Sequence, residues 1–234
     1  MNMRKPIAVI AGVGPGNGAA LAKRFAAGGY RPILLARDRS RLEQLAAELG
    51  DAVPIACDVS DASSCASAFA RIAELGPVDA LLFNAGSGVF KDVQQITAAE
   101  FESSWRVNAL GALLCAQAVI PDMLERGTGS IVLIGATASL RGAASTAAFA
   151  PAKAAQRSLA ESMARSLGPK GIHVALIIVD GIVDLPRTRA AMPDKPTSFF
   201  VDPRGVADAA WFLAHQSTQA WTFEMAVRPF GEKW

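Results

Sequence analysis

Several features that would announce a partner are missing from this chain. Its 23 basic and 21 acidic residues leave a net charge of +2, too little for the positive field that nucleic acid or an anionic membrane surface calls for. Its three cysteines, Cys57, Cys65 and Cys115, are an odd number in helical or strand-like surroundings. They read as small buried hydrophobes in a reducing compartment, without a disulfide framework. No apolar run approaches the roughly 18 residues of a membrane helix, and the opening MNMRKPIAVI has no signal-like apolar region with a cleavage site. Repeats, low-complexity tracts and linkers are absent, and no metal site is expected. The expectation is one soluble, cytoplasmic domain over residues 1–234.

What the chain does carry is IAVIAGVGPGNG, residues 7–18, a short apolar strand running into a glycine loop. Gly12, Gly16 and Gly18, with Asn17 between the last two, let the backbone turn sharply and approach a bound group. The following helix, over residues 19–27, aims its free N–H groups at an anion. This is the pattern of a dinucleotide pyrophosphate site. Further strands read at residues 32–36, 53–57, 78–83, 130–134, 172–179 and 223–227, alternating with helices at 40–49, 61–75, 97–123, 146–167 and 203–215. Such alternation predicts an α/β fold: a doubly wound parallel sheet of about seven strands with helices on both faces.

Candidate site residues fall at strand ends. Arg37 lies 19 residues beyond Gly18, where an acid would read the ribose hydroxyls of NAD and an arginine suits the 2′-phosphate of NADP(H). The alternative is a solvated arginine, with Arg39 and Arg41 adding field and Asp38 opposing it. Asp58, followed by Val59, either accepts from the adenine amino group or caps a helix. Asn84-Ala85-Gly86 ends a strand with small residues that admit a ligand. Asn108 is polar in an apolar helix and needs a backbone carbonyl at a kink, or a water. His173 reads as a surface residue. Residues 181–201, with three prolines, read as a lid-like loop.

Gly12-x-x-x-Gly16-x-Gly18, Arg37, Asp58-Val59, Asn84-Ala85-Gly86, Asn108, Lys153 and Gly181-x-Val183 together resemble the short-chain dehydrogenases/reductases over essentially the whole chain. The resemblance implies a Rossmann fold, NAD(P)(H) as hydride carrier and a homodimer or homotetramer, with Ala147, Ala148, Ala152, Ala155, Leu159 and Met163 facing a partner helix. It implies that Lys153 binds the nicotinamide ribose and that Asn108 holds a water of a proton relay. The family's catalytic element is Y-x-x-x-K with an upstream serine. Here it reads Phe149-Ala150-Pro151-Ala152-Lys153, and the serine position is Ala136. Thr137 is one residue along, Asp180-Gly181 replaces Pro-Gly, and Leu185 stands where a threonine often contacts the cofactor. Relatives that reduce dienoyl thioesters also lack the tyrosine. The expectation is an NADP(H)-dependent oxidoreductase acting on a small molecule, either a conjugated C=C or a substrate to which Asp180 supplies the proton. The alternative is a nucleotide-binding pseudoenzyme, a sensor or scaffold. Under either reading Phe149 can be one more apolar wall residue, and the alternative for Asp180 is a loop cap.

Overall fold

The computed structural model describes residues 4–232. Seven strands, β1 (Ile7–Ala11), β2 (Arg31–Ala36), β3 (Val53–Ala56), β4 (Val78–Phe83), β5 (Gly129–Ala136), β6 (Ile172–Val179) and β7 (Glu224–Val227), form one sheet in the order β3-β2-β1-β4-β5-β6-β7. All neighbours are parallel. The strands are continuous apolar runs because successive side chains enter two different cores. Ile7, Val9 and Ala11 point to one side with Leu81, Leu133 and Leu176, while Ala8 and Ile10 join Leu34, Leu82 and Ile177 on the other.

Helices α1 (Asn17–Ala27), α2 (Arg39–Leu49) and α8 (Pro203–Ala214) cover the second face through Leu21, Phe25, Leu42, Val206 and Leu213. Helices α3 (Ala62–Ala73), α5 (Gly111–Arg126) and α6 (Phe149–Leu167) cover the first through Phe69, Ile72, Cys115, Val119 and Met163. All three cysteines are buried free thiols. The strand order reverses between β1 and β4, and in open parallel sheets the crevice at such a reversal takes the ligand.

Local chemistry moves several boundaries. Helix α2 starts one residue earlier than expected because Asp38 caps it, its carboxylate accepting from Arg41 N at 3.1 Å. The helix expected over residues 97–123 starts as read, with Thr97 and Glu100 forming a reciprocal cap. It then breaks into α4 (Ala98–Trp105), a π-helical turn at Arg106–Leu110, and α5. By length and a mean hydropathy of 1.5 the run Ala98–Arg126 could cross a membrane, which the reading of apolar runs had discounted. Its apolar side is the face that Ala112, Cys115, Ala116, Val119 and Met123 lay on the sheet. Helix α6 begins at Phe149 rather than at residue 146. Of its small-residue stripe, Ala148, Ala152 and Met163 are buried within this chain. His173, expected at the surface, is 4% exposed. Its Nδ1 and Nε2 face the Leu213 and Thr222 carbonyls, each at 3.0 Å, and its ring stacks on Trp221.

Candidate functional site

The glycine loop is pinned from both sides. Gly12 N and Val13 N donate to Leu35 O at 2.9 and 3.0 Å, and Asn84 Nδ2 donates to Gly12 O at 2.7 Å. Gly12 has φ +96°, and any Cβ there would run into the backbone of Ala85. At Gly18 a Cβ would sit 2.6 Å from Gly12 O. Only glycine lets strand end, loop and helix close this tightly. No side chain caps α1 at Gly16, so its first N–H groups open onto a cleft of about 620 Å³. The cleft is lined by the loop, Arg37, Asp58, Asn84-Ala85-Gly86, Val183 and Leu185. Val59 lines it as well, and the buried Asn17 Oδ1 has no partner.

At the β2 end of the cleft the three arginines differ. Arg39 pairs with Glu43 at 2.8 Å and Arg41 lies 3.8 Å from Asp38. Arg37 makes no side-chain hydrogen bond or ion pair among the described residues. Its charge acts on Asp58 across the cleft floor. Asp58 is not a helix cap; Asp61 caps α3, accepting from Ser63 N at 2.8 Å. Asp58 Oδ1 accepts from Ser60 Oγ at 2.7 Å and Ser60 N at 2.9 Å. The Ser60 hydroxyl, helped by its amide and by Arg37, holds the Asp58 carboxyl below the usual range.

Beneath the other end of the cleft lies a buried polar chain. The π-helical turn swings Asn108 so that Nδ2 donates to Ser104 O at 2.8 Å and Ser87 O at 2.9 Å. This is the backbone partnership at a kink that a polar residue there requires. Lys153 Nζ donates to Ile134 O at 2.9 Å and to Gln156 Oε1 at 3.1 Å, and Gln156 Nε2 donates to Asn108 O at 3.1 Å. Burial alone pushes Lys153 down to about 7. Asn108 Oδ1 is buried without a partner. A Cβ on Gly86 would lie 3.4 Å from that oxygen and 3.7 Å from Lys153 Nζ, so both face the floor of the cleft.

Phe149 lies one helical turn before Lys153, on the same side of α6, its ring 5.4 Å from that of Phe90. Ala136 ends β5, and its N–H donates to Ser139 Oγ at 3.1 Å. Thr137 Oγ1 donates to Asp180 Oδ1 at 2.6 Å, and Arg228 Nη1 lies 3.5 Å from Asp180 Oδ2. The Thr137 proton is thus committed to a carboxylate, and that carboxylate is engaged on both oxygens. The segment 181–201 is anchored at its base by Gly181 (φ +149°) and by the Val183–Val201 bridge. Leu185 rests on Gly16, and the helix α7 (Pro186–Ala191) is tied back through Arg189 to Asp184 at 2.7 Å.

Comparison with known proteins decides what this arrangement is. The short chain dehydrogenase family matches residues 6–195. The chain belongs to that family. D-threitol dehydrogenase of Mycolicibacterium smegmatis is 31% identical over 221 residues, 89% of this chain and 85% of the relative. Among solved structures, a short-chain dehydrogenase from Rhodopseudomonas palustris has 33% identity and a TM-score of 0.84, covering 97% of this chain and all of that one. An alcohol dehydrogenase from Thermococcus sibiricus, complexed with 5-hydroxy-NADP, has 26% identity and a TM-score of 0.88, covering 98% and 99%.

As a short chain dehydrogenase the protein holds its site residues in two groups. The glycine loop, Arg37, Asp58, Val59, Asn84, Ala85, Gly86 and Val183 line one cleft, and Asn108 and Lys153 meet beneath its Gly86 end. Asp180 instead belongs to a cluster with Thr137 and Arg228. Sequence reading missed Gln156, Phe90 and Arg228. Gln156 carried a usable signal: an amide among Ala152, Ala160 and Met163 on the buried side of α6, the same anomaly that marked Asn108. Phe90 and Arg228 lie in loops and carried none.

Proposed function

We propose that the protein is an NADP(H)-dependent oxidoreductase that exchanges hydride with a small organic substrate without an acid at position 149, a conjugated C=C being the chemistry that fits best. The residues present suit the cofactor. A cleft in the size range of small-molecule sites combines an uncapped helix N-terminus, glycine backbone at its floor and the free guanidinium of Arg37 at the ribose-phosphate end. In this reading the α1 N–H groups bind the pyrophosphate, Arg37 holds the 2′-phosphate as a planar fork, Asp58 borders the adenine, and Lys153 and Asn108 face the nicotinamide ribose. The bound nicotinamide supplies or accepts the hydride.

The observation that carries the reading is the contrast between a cleft suited to a nucleotide and the lack of a hydroxyl at Phe149 and Ala136. Phe149 and Ala136 offer no hydroxyl; Thr137 Oγ1 donates to Asp180, and Ser139 Oγ accepts from the Ala136 N–H. A ketone reductase that loses its positioned acid loses about 10²- to 10⁴-fold in rate. Reduction of a conjugated C=C develops negative charge away from the hydride-accepting carbon and can draw its proton from solvent. The Phe90 and Phe149 rings suit the apolar body of such a substrate.

Calorimetric titration of NADPH and NADH into parent and Arg37→Ala protein tests the cofactor assignment. Loss of a charge-assisted contact weakens NADPH by about 1.5–3 kcal/mol and leaves NADH nearly unchanged. Equal losses for both cofactors remove phosphate recognition from the account. Tight NADPH binding without turnover of any carbonyl or enone substrate would favour the sensor or scaffold.

A further inference from the structure

The amide of Gln156 is fully buried between a lysine and a backbone carbonyl. Its orientation is fixed by chemistry, because an ammonium or amine N–H donates and the Asn108 carbonyl only accepts. Oε1 must therefore face Lys153 and Nε2 must face Asn108, as found at 3.1 Å each. With Ile134 O on its other side at 2.9 Å, Lys153 has two fixed acceptors. A neutral amine has two N–H groups, and these two acceptors consume both. A third N–H exists only on the ammonium, and the direction left for it is toward Gly86 and the orphaned Asn108 Oδ1.

We propose that Gln156 is a positioning residue that makes the cleft-facing donor of Lys153 available only when the lysine is protonated. Cofactor affinity then carries a proton requirement built into the helix rather than into any carboxylate. From α6 the group facing Nζ is Gln156, from β5 the Ile134 carbonyl, and toward the cleft lie Gly86 from the loop after β4 and Asn108 from the π-helical turn. No charged side chain contributes to the lowered lysine, for which burial is the single cause. The Gln156 amide also ends the polar chain on the Asn108 carbonyl. The inference rests on the reading of Lys153 as a cofactor contact.

Two variants pull in opposite directions. Gln156→Leu removes one acceptor, freeing an N–H of the neutral amine for the cleft and lowering the lysine titration by about one unit. Gln156→Glu sets a carboxylate beside it and raises the titration by about one to three units. NADPH affinity of the parent should fall about tenfold or more as pH rises through about 7, the worth of a charge-assisted bond at the lysine's titration point. The Leu variant should show a flattened profile, and the Glu variant should hold its affinity to a pH one to three units higher, about the shift a neighbouring carboxylate gives. A packing role alone would weaken binding equally at every pH, and three parallel profiles overturn the proposal. ¹⁵N NMR of Lys153 Nζ in cofactor-free protein, assigned with Lys153→Arg, reads the clamp independently. If the parent binds no NADPH, the cofactor reading fails while the NMR titrations still decide the role of Gln156. Unmoved titrations in both variants overturn it.

Discussion

Phe149→Tyr combined with Ala136→Ser tests the proposal that positions 149 and 136 lack the hydroxyls a carbonyl reductase would use. Position 149 is one helical turn before Lys153, so a tyrosine there would stand within the lysine's influence. A serine at 136 would end β5 beside it and could hold a substrate oxygen. A positioned general acid contributes about 10²- to 10⁴-fold. The structure argues for the lower end, because burial pushes Lys153 down to about 7 and a neutral lysine does little for a neighbouring phenol. The expected gain is therefore about 10²-fold in NADPH-dependent reduction of an activated diketone, larger on the acid side of neutrality and shrinking above it. Stability should change by less than about 0.5 kcal/mol, since Phe149 is only partly buried. NADPH oxidation is followed by absorbance, with cofactor affinity measured on the same samples. A folded double variant that binds NADPH without a rate gain would refute the reasoning. So would a parent already as active as the variant.

Gly12→Ala should cost about 2–4 kcal/mol, from a positive φ that a side chain resists and from collision with the Ala85 backbone. Chemical denaturation checks this, and an unchanged midpoint would contradict it. His173→Phe should cost about 1–3 kcal/mol by leaving a buried carbonyl unpaired, with NADPH affinity unchanged. Burial lowers the His173 titration, so the parent's stability is full above about pH 6.5 and falls as pH drops through the folded value. The Phe variant should lack that slope. Lys153→Met should show the opposite region. Folded Lys153 loses its proton near 7 while the unfolded lysine keeps it to about 10.4. Parent stability relative to the variant must therefore rise with pH across that window, and a flat difference would rule out a buried titrating lysine.

The fold was legible because its signals are periodic and local. Apolar runs such as ILL at residues 33–35 and LIIV at 176–179, rich in branched residues and bounded by turn signals, read as strands buried on both faces, and the glycine loop marks the strand end that opens the cleft. The candidate cleft was legible for the same reason, being built from strand ends and backbone. Other features depend on contacts between distant residues. His173 was misread because Leu213 and Thr222, 40 and 49 residues away, close over it. The π-helical turn left no mark in composition, although Asn108 betrayed that something must satisfy it. Asp180 was read in isolation, and its partners Thr137 and Arg228 come from different strand ends.

The most direct test of the account follows hydride itself. NADPH deuterated at the transferring position is incubated with a panel of paired substrates, each as a saturated carbonyl and as its α,β-unsaturated counterpart, and product is analysed for label. The account predicts deuterium at the β-carbon of the unsaturated substrates, little label at saturated carbonyl carbons, and a solvent-derived proton at the α-carbon. Efficient labelling of saturated carbonyl carbons by the parent protein would contradict it, because the apolar pair Phe149 and Ala136 would then be no obstacle to carbonyl chemistry.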